Sequence, residues 1–131
     1  MNKIKLKFKG EFGGVYGVAF WLHFKPEMLQ FDKVANLGTF DDVQAAIKSN
    51  DNSILVCSAS LQGTKPGVSG AVEFMEIYFN VIGGGECEFY STQESVVNAE
   101  MQEQKHKFEH LTFSSEFINV ISYEIILLEA A

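Results

Sequence analysis

The feature that most restricts this chain is an apolar–polar alternation of period two that returns in segment after segment. Ile4, Leu6 and Phe8 alternate with Lys3, Lys5, Lys7 and Lys9, and Val18, Phe20, Leu22 and Phe24 alternate with Ala19, Trp21 and His23. Successive side chains of a β-strand point to opposite faces, so this period specifies strands with one inner and one outer face. A helix needs apolar residues three and four apart. Turn formers separate the runs: Pro26, the Ser49-Asn50-Asp51-Asn52 cluster, a loop over residues 62–70 holding Pro66, and Gly83-Gly84-Gly85, read as a hairpin turn. In the longest run, residues 71–82, the parity puts Met75, Ile77, Phe79 and Val81 inward and Phe74, Glu76, Tyr78 and Asn80 outward. Two stretches depart from the pattern. Val43, Ala46 and Ile47 are spaced for one or two helical turns within residues 39–48, and residues 98–111 are a second helical candidate.

About eight to nine strands with at most one short helix make the chain all-β, and two packed sheets are the natural way to bury so many strand faces. A length of 131 residues is that of one domain, taken here as residues 1–131. The 12 phenylalanines are spread along the chain, as a core built from many short strands requires.

A formal net charge of −7 argues against a nucleic-acid partner, because phosphate recognition needs clustered Lys and Arg. The one lysine cluster, Lys3 to Lys9, reads as the charged outer face of a half-buried strand, which also discourages edge-to-edge association. No apolar run approaches the roughly 18 residues of a membrane span, and no signal peptide precedes Phe12. Cys57 and Cys87 each lie in a strand-like run; they are either a disulfide or two buried thiols, and neither has a neighbouring His to make it a nucleophile.

The sharpest catalytic pattern is His106-Lys107-Phe108-Glu109-His110, an H-x-x-E-H sequence that on a helix sets two histidines on one face for Zn²⁺ with Glu109 as base. The only other histidine, His23, sits on a different strand, so a third ligand is missing. The zinc hydrolase stands as a remote alternative; no catalytic residue, metal or cofactor is assigned. Surface chemistry remains. An aromatic pair flanking an acid, Phe74, Glu76 and Tyr78, is raw material for a binding patch on the outer face of a sheet.

The order of features resembles the cohesins, the dockerin-binding modules of cellulosomes. Residues 17–31 (GVAFWLHFKPEMLQF) are similar to the cohesin strand that ends in an aromatic-acid-Pro step, with Lys25 standing where the acid is usual. Residues 54–60 match the next strand, 70–81 (GAVEFMEIYFNV) the Gly-led long strand, and Val97-Asn98 with 117–120 (FINV) the last loop and strand. The resemblance implies an antiparallel jelly-roll β-sandwich that works as a non-catalytic module. It would attach a dockerin-type protein partner through one flat sheet containing the strands at 29–32, 54–60 and 70–81. Carried over by position, the partner-binding residues are Gln30, Asp32, Phe74, Glu76 and Tyr78. It implies an extracellular or cell-surface setting, within a longer exported protein. The alternative on the same fold class is a carbohydrate-binding module stacking sugars on Trp21, Tyr16 and Tyr78, with a polysaccharide as partner.

Overall fold

A computed structural model describes residues 3–84, 88–110 and 119–128. Nine strands run through them: β1 (Lys3–Val15), β2 (Gly17–His23), β3 (Leu29–Asn36), β4 (Asp42–Lys48), β5 (Asp51–Ser60), β6 (Val68–Val81), β7 (Tyr90–Val97), β8 (His106–His110) and β9 (Asn119–Leu128). They form a five-stranded sheet, β3-β6-β1-β9-β8, and a four-stranded sheet, β4-β5-β2-β7. The chain is thus a β-sandwich of two sheets, as expected. Neighbouring strands pair antiparallel, as expected, with β8 and β9 the one parallel pair among the described residues.

Apart from β4–β5 and β8–β9, every connection crosses from one sheet to the other. The segment after β6, read from the glycines at 83–85, is therefore not a hairpin turn, and Gly85 itself lies outside the described residues. The segment starts a crossover from β6 to β7, and Gly83 is tied to the β2–β3 connection through its amide, which donates to the Met28 carbonyl. A side chain at Gly83 would meet the Glu27 carbonyl oxygen at 2.4 Å, so the crossing depends on glycine.

Both helical expectations fail among the described residues. The stretch at 39–48 becomes edge strand β4, whose Val43 and Ala45 pack on the core while Asp42, Gln44 and Ala46 face out. Pairing along its length with β5 outweighs a weak helical spacing. The second stretch holds a tight turn rather than a helix. Asn98 Oδ1 accepts from the amides of Glu100 and Gln102, and the chain then extends into β8.

The core is aromatic. Phe8 and Phe20 meet across the sandwich at 5.1 Å between ring centroids, and Phe74 packs on Phe8, Phe12 and Phe40 at 6.1, 5.7 and 5.8 Å. A second group joins Phe24, Phe31 and Phe89 around Phe79. The lysines of β1 alternate outward from this core, as the sequence pattern requires.

Phe74 is where the parity reading breaks. Phe8 pairs with Met75, but the next residue, Lys9, pairs with Glu73, leaving Phe74 as an extra residue in β6. A bulge of this kind sets two consecutive side chains on one side and reverses the alternation beyond it. Phe74 and Met75 are both fully buried, so Phe74 has no outer surface to offer a partner. Glu76, Tyr78 and Asn80 keep their predicted outward direction. Phe74→Ala should cost about 3–5 kcal/mol of stability through lost burial and a residual cavity. In urea unfolding Tyr78→Ala should cost clearly less; equal losses would contradict this placement.

Candidate functional site

The sandwich presents two outer faces, and they differ in chemistry. On the five-stranded sheet the register sets Lys5 beside Tyr78 and Lys7 beside Glu76, with Lys33 next to Tyr78 on the far side. These groups satisfy one another. Lys5 Nζ lies 3.2 Å from Glu76 Oε2, Lys7 Nζ 3.1 Å from Glu73 Oε2, and Lys3 Nζ 3.5 Å from Asp32 Oδ2. The Tyr78 hydroxyl donates to Glu76 Oε1 at 3.0 Å, and its ring lies 5.9 Å from Lys5 Nζ and 4.9 Å from Lys33 Nζ. Burial and the Glu76 carboxylate raise the Tyr78 phenol above its ordinary value. Asn80 Nδ2 donates to Gln30 Oε1 at 3.4 Å. Of the five sequence-predicted partner residues, Gln30, Asp32, Glu76 and Tyr78 do come together here, and Phe74 does not.

The sheet inferred from the resemblance is not one sheet. The strands at 29–32 and 70–81 are β3 and β6 of the five-stranded sheet, whereas 54–60 lies in β5 of the other. A second surface therefore has to be considered.

The outer face of the four-stranded sheet is apolar and aromatic. Its central row follows from the register: Ala46 pairs with Val56, Val56 with Trp21 and Trp21 with Thr92. The adjoining row is Ile54, His23 and Tyr90. Val56, in the middle of β5, is 39% and Tyr90, at the start of β7, 58% exposed, high for large apolar side chains on a sheet face. The His23 ring stacks on Tyr90 with centroids 4.3 Å apart and planes 6° from parallel, and its Nε2 lies 2.7 Å from Thr92 Oγ1. Lys48 Nζ stands 5.3 Å over the Trp21 ring. Of this face the sequence points to Trp21, as a sugar-stacking candidate, and to the strand at 54–60. The available signal was that residues 54–57 (ILVC) are apolar at both parities, so one of their faces must be apolar and outward.

The carbohydrate candidates do not assemble. Trp21 lies on the four-stranded face, Tyr78 on the five-stranded face, and Tyr16 at one end of the sandwich beside an open cleft of about 470 Å³. Two polar groups of that cleft are already bonded within the chain: the Tyr16 hydroxyl donates to the Gly63 carbonyl at 2.5 Å, and Lys65 Nζ donates to Asp41 at 2.5 Å.

The zinc reading loses its geometry, because β8 is extended. Residues four apart on a strand are about 13 Å apart, too far to share one zinc. His106 Nδ1 lies 3.0 Å from the Gln104 carbonyl oxygen, and the Glu109 and His110 side chains lie outside the described ones. Among the described residues no group of three or more His, Cys, Asp or Glu could hold a metal ion. Cys57 is a free thiol buried between the sheets, and burial pushes its pKa far up; Cys87 lies outside the described residues.

Solved cohesin modules resemble the chain at low identity. The non-cellulosomal cohesin of Archaeoglobus fulgidus matches with a TM-score of 0.58 and 15% identity over 92% of this chain and 79% of its own. The sixth cohesin of Acetivibrio cellulolyticus scaffoldin B, solved with a mutant dockerin, gives 0.55 and 11% over 83% and 77%. The cohesin of a type I cohesin–dockerin complex from Clostridium thermocellum gives 0.56 and 10% over 84% and 74%. No protein-family model matches the sequence, and no curated protein does either. The fold is that of the cohesins.

Two measurements check these environments. In a Cys87→Ser variant, Cys57 should react with a thiol reagent only as fast as the domain opens; prompt labelling of the native protein would refute its burial. Asp41 is held below the usual carboxylate range by hydrogen bonds from Lys65 and the Gln62 amide, and Asp51 by those from the Ser53 hydroxyl and amide. A depressed folded-state value adds stability that is fully present above the unfolded value, near 3.9, and lost as pH falls through the folded one. The double variant Asp41→Asn/Asp51→Asn should therefore show a shallower loss of stability below about pH 4.

Proposed function

We propose that this domain is a non-catalytic attachment module of an extracellular or cell-surface protein, and that it binds a dockerin-type protein through the outer face of its four-stranded sheet. Likeness to cohesins that were solved with dockerins supports the kind of partner. The observation that carries the choice of face is the exposure of Val56 and Tyr90 beside half-buried Trp21 and His23 on adjoining rows of one sheet face. Aromatic and aliphatic side chains at the centre of a flat surface are the usual anchors of a protein interface. The five-stranded face, where Gln30, Asp32, Glu76 and Tyr78 lie, offers a weaker case. Lys3, Lys5 and Lys7 are already paired with Asp32, Glu76 and Glu73, and a partner would have to break those pairs before making its own.

Capture from the secreted proteins of the source organism on immobilised domain, read by mass spectrometry, tests both parts. Val56→Asp and Tyr90→Ala should each reduce capture of a dockerin-bearing protein at least tenfold while leaving the unfolding midpoint nearly unchanged. Tyr78→Ala should leave capture intact. The opposite pattern would move the site to the five-stranded face, and capture of polysaccharide alone would overturn protein attachment.

A further inference from the structure

The acidic groups of the two sheets are held in different ways. On the five-stranded sheet, Asp32, Glu73 and Glu76 each have a lysine ammonium within 3.5 Å. Around the four-stranded face the carboxylates are held by neutral donors. Asp42 Oδ2 accepts from Gln44 Nε2 at 2.9 Å. Asp51 Oδ1 accepts from the Ser53 amide at 3.0 Å and hydroxyl at 2.5 Å. Glu94 accepts from the Ser91 hydroxyl, and Glu103 from the Ser95 hydroxyl and the Val96 amide. Among the described residues none of these four forms an ion pair.

Their positions ring the apolar row. Asp42 closes the corner where β4 meets Ser60, Asp51 stands at the other end of β5, and Glu94 and Glu103 lie along the β7 edge. On this side Lys48 stands over Trp21 and opposite Asp51 in the ladder, and Lys65 pairs with Asp41 beside Asp42. Hydroxyl and amide donors fix a carboxylate without neutralising it, so the rim keeps its charge and its field. Of the chain's ten lysines, Lys3, Lys5, Lys7, Lys9, Lys33 and Lys107 lie in strands of the opposite sheet, which sharpens the contrast.

We infer that the occupant of the four-stranded face is a protein surface with an apolar centre flanked by Lys and Arg side chains, steered into place by this acidic rim. The inference rests on the choice of face made above and adds the charge of the partner. It also disfavours a second copy in face-to-face contact, since that would set carboxylate rim against carboxylate rim.

The test uses a library of one small helical-bundle scaffold, randomised at a single surface and selected against the wild-type domain. Binders whose capture is abolished by Val56→Asp define the face. Those binders should be enriched in Lys and Arg over the unselected library, and their association rate should fall several-fold with Asp51→Asn/Glu103→Gln at low salt, with dissociation little changed. In about 0.5 M salt the difference should vanish, and Glu73→Gln, on the other sheet, should have no effect. Face-directed binders with no basic enrichment, or with rates indifferent to the double variant and to salt, would overturn the inference and leave the face standing. A selection yielding no binder sensitive to Val56→Asp would overturn both.

Discussion

One extra residue in β6 organises this molecule. Phe74 stands unmatched between Glu73 and Met75 against β1, and the bulge turns its ring into the core beside Phe8, Phe12 and Phe40. Without it the alternation of β6 would run unbroken from Val72 to Val81, and a large aromatic side chain would be left on the charged outer face. With it, Glu76 and Tyr78 fall into register with Lys7 and Lys5, where ion pairs can form. Core packing and surface electrostatics of the five-stranded sheet therefore share a single cause.

That coupling separates the two faces functionally. A half-buried pair such as Lys5–Glu76 is costly to disrupt from one side, because the remaining partner is left with an unpaired charge in a partly desolvated place. A surface laced by such pairs is stable in water and a poor substrate for docking. The four-stranded face has the reverse character: its exposed Val56 and Tyr90 gain by being covered, and Asp42, Asp51 and Glu103 are hydrogen-bonded by hydroxyl and amide donors rather than held in ion pairs among the described residues.

Much of the fold was legible because period two survives tertiary context. The inward residues Leu6, Phe8, Val18, Phe20 and Leu22 are buried as their spacing demanded. What failed was local. A bulge inserts one residue and leaves no mark in composition, so the parity at Phe74 could not be read from spacing. Edge strand β4 carries Ala45, Ala46 and an exposed Ile47, a pattern equally good for a helix until β5 pairs with it. The glycines after Ile82 look like a hairpin turn because sequence reports that the chain turns and not which sheet it enters next.

The candidate site was harder to read, for a reason of geometry. A surface is assembled across strands, and its members come from β4, β5, β2 and β7, which span residues 42–97 of the sequence. Each contributes one or two outward residues that look unremarkable in their own segment. His23 reads as an ordinary half-exposed strand residue until Tyr90 stacks on it from β7, and Val56 reads as core until its partner across the ladder proves to be the outward-facing Trp21. Sheet order, which decides these neighbours, is fixed by how the crossovers bury the phenylalanines. The same burial that hides Phe74 therefore determines which apolar side chains remain outside for a partner to cover.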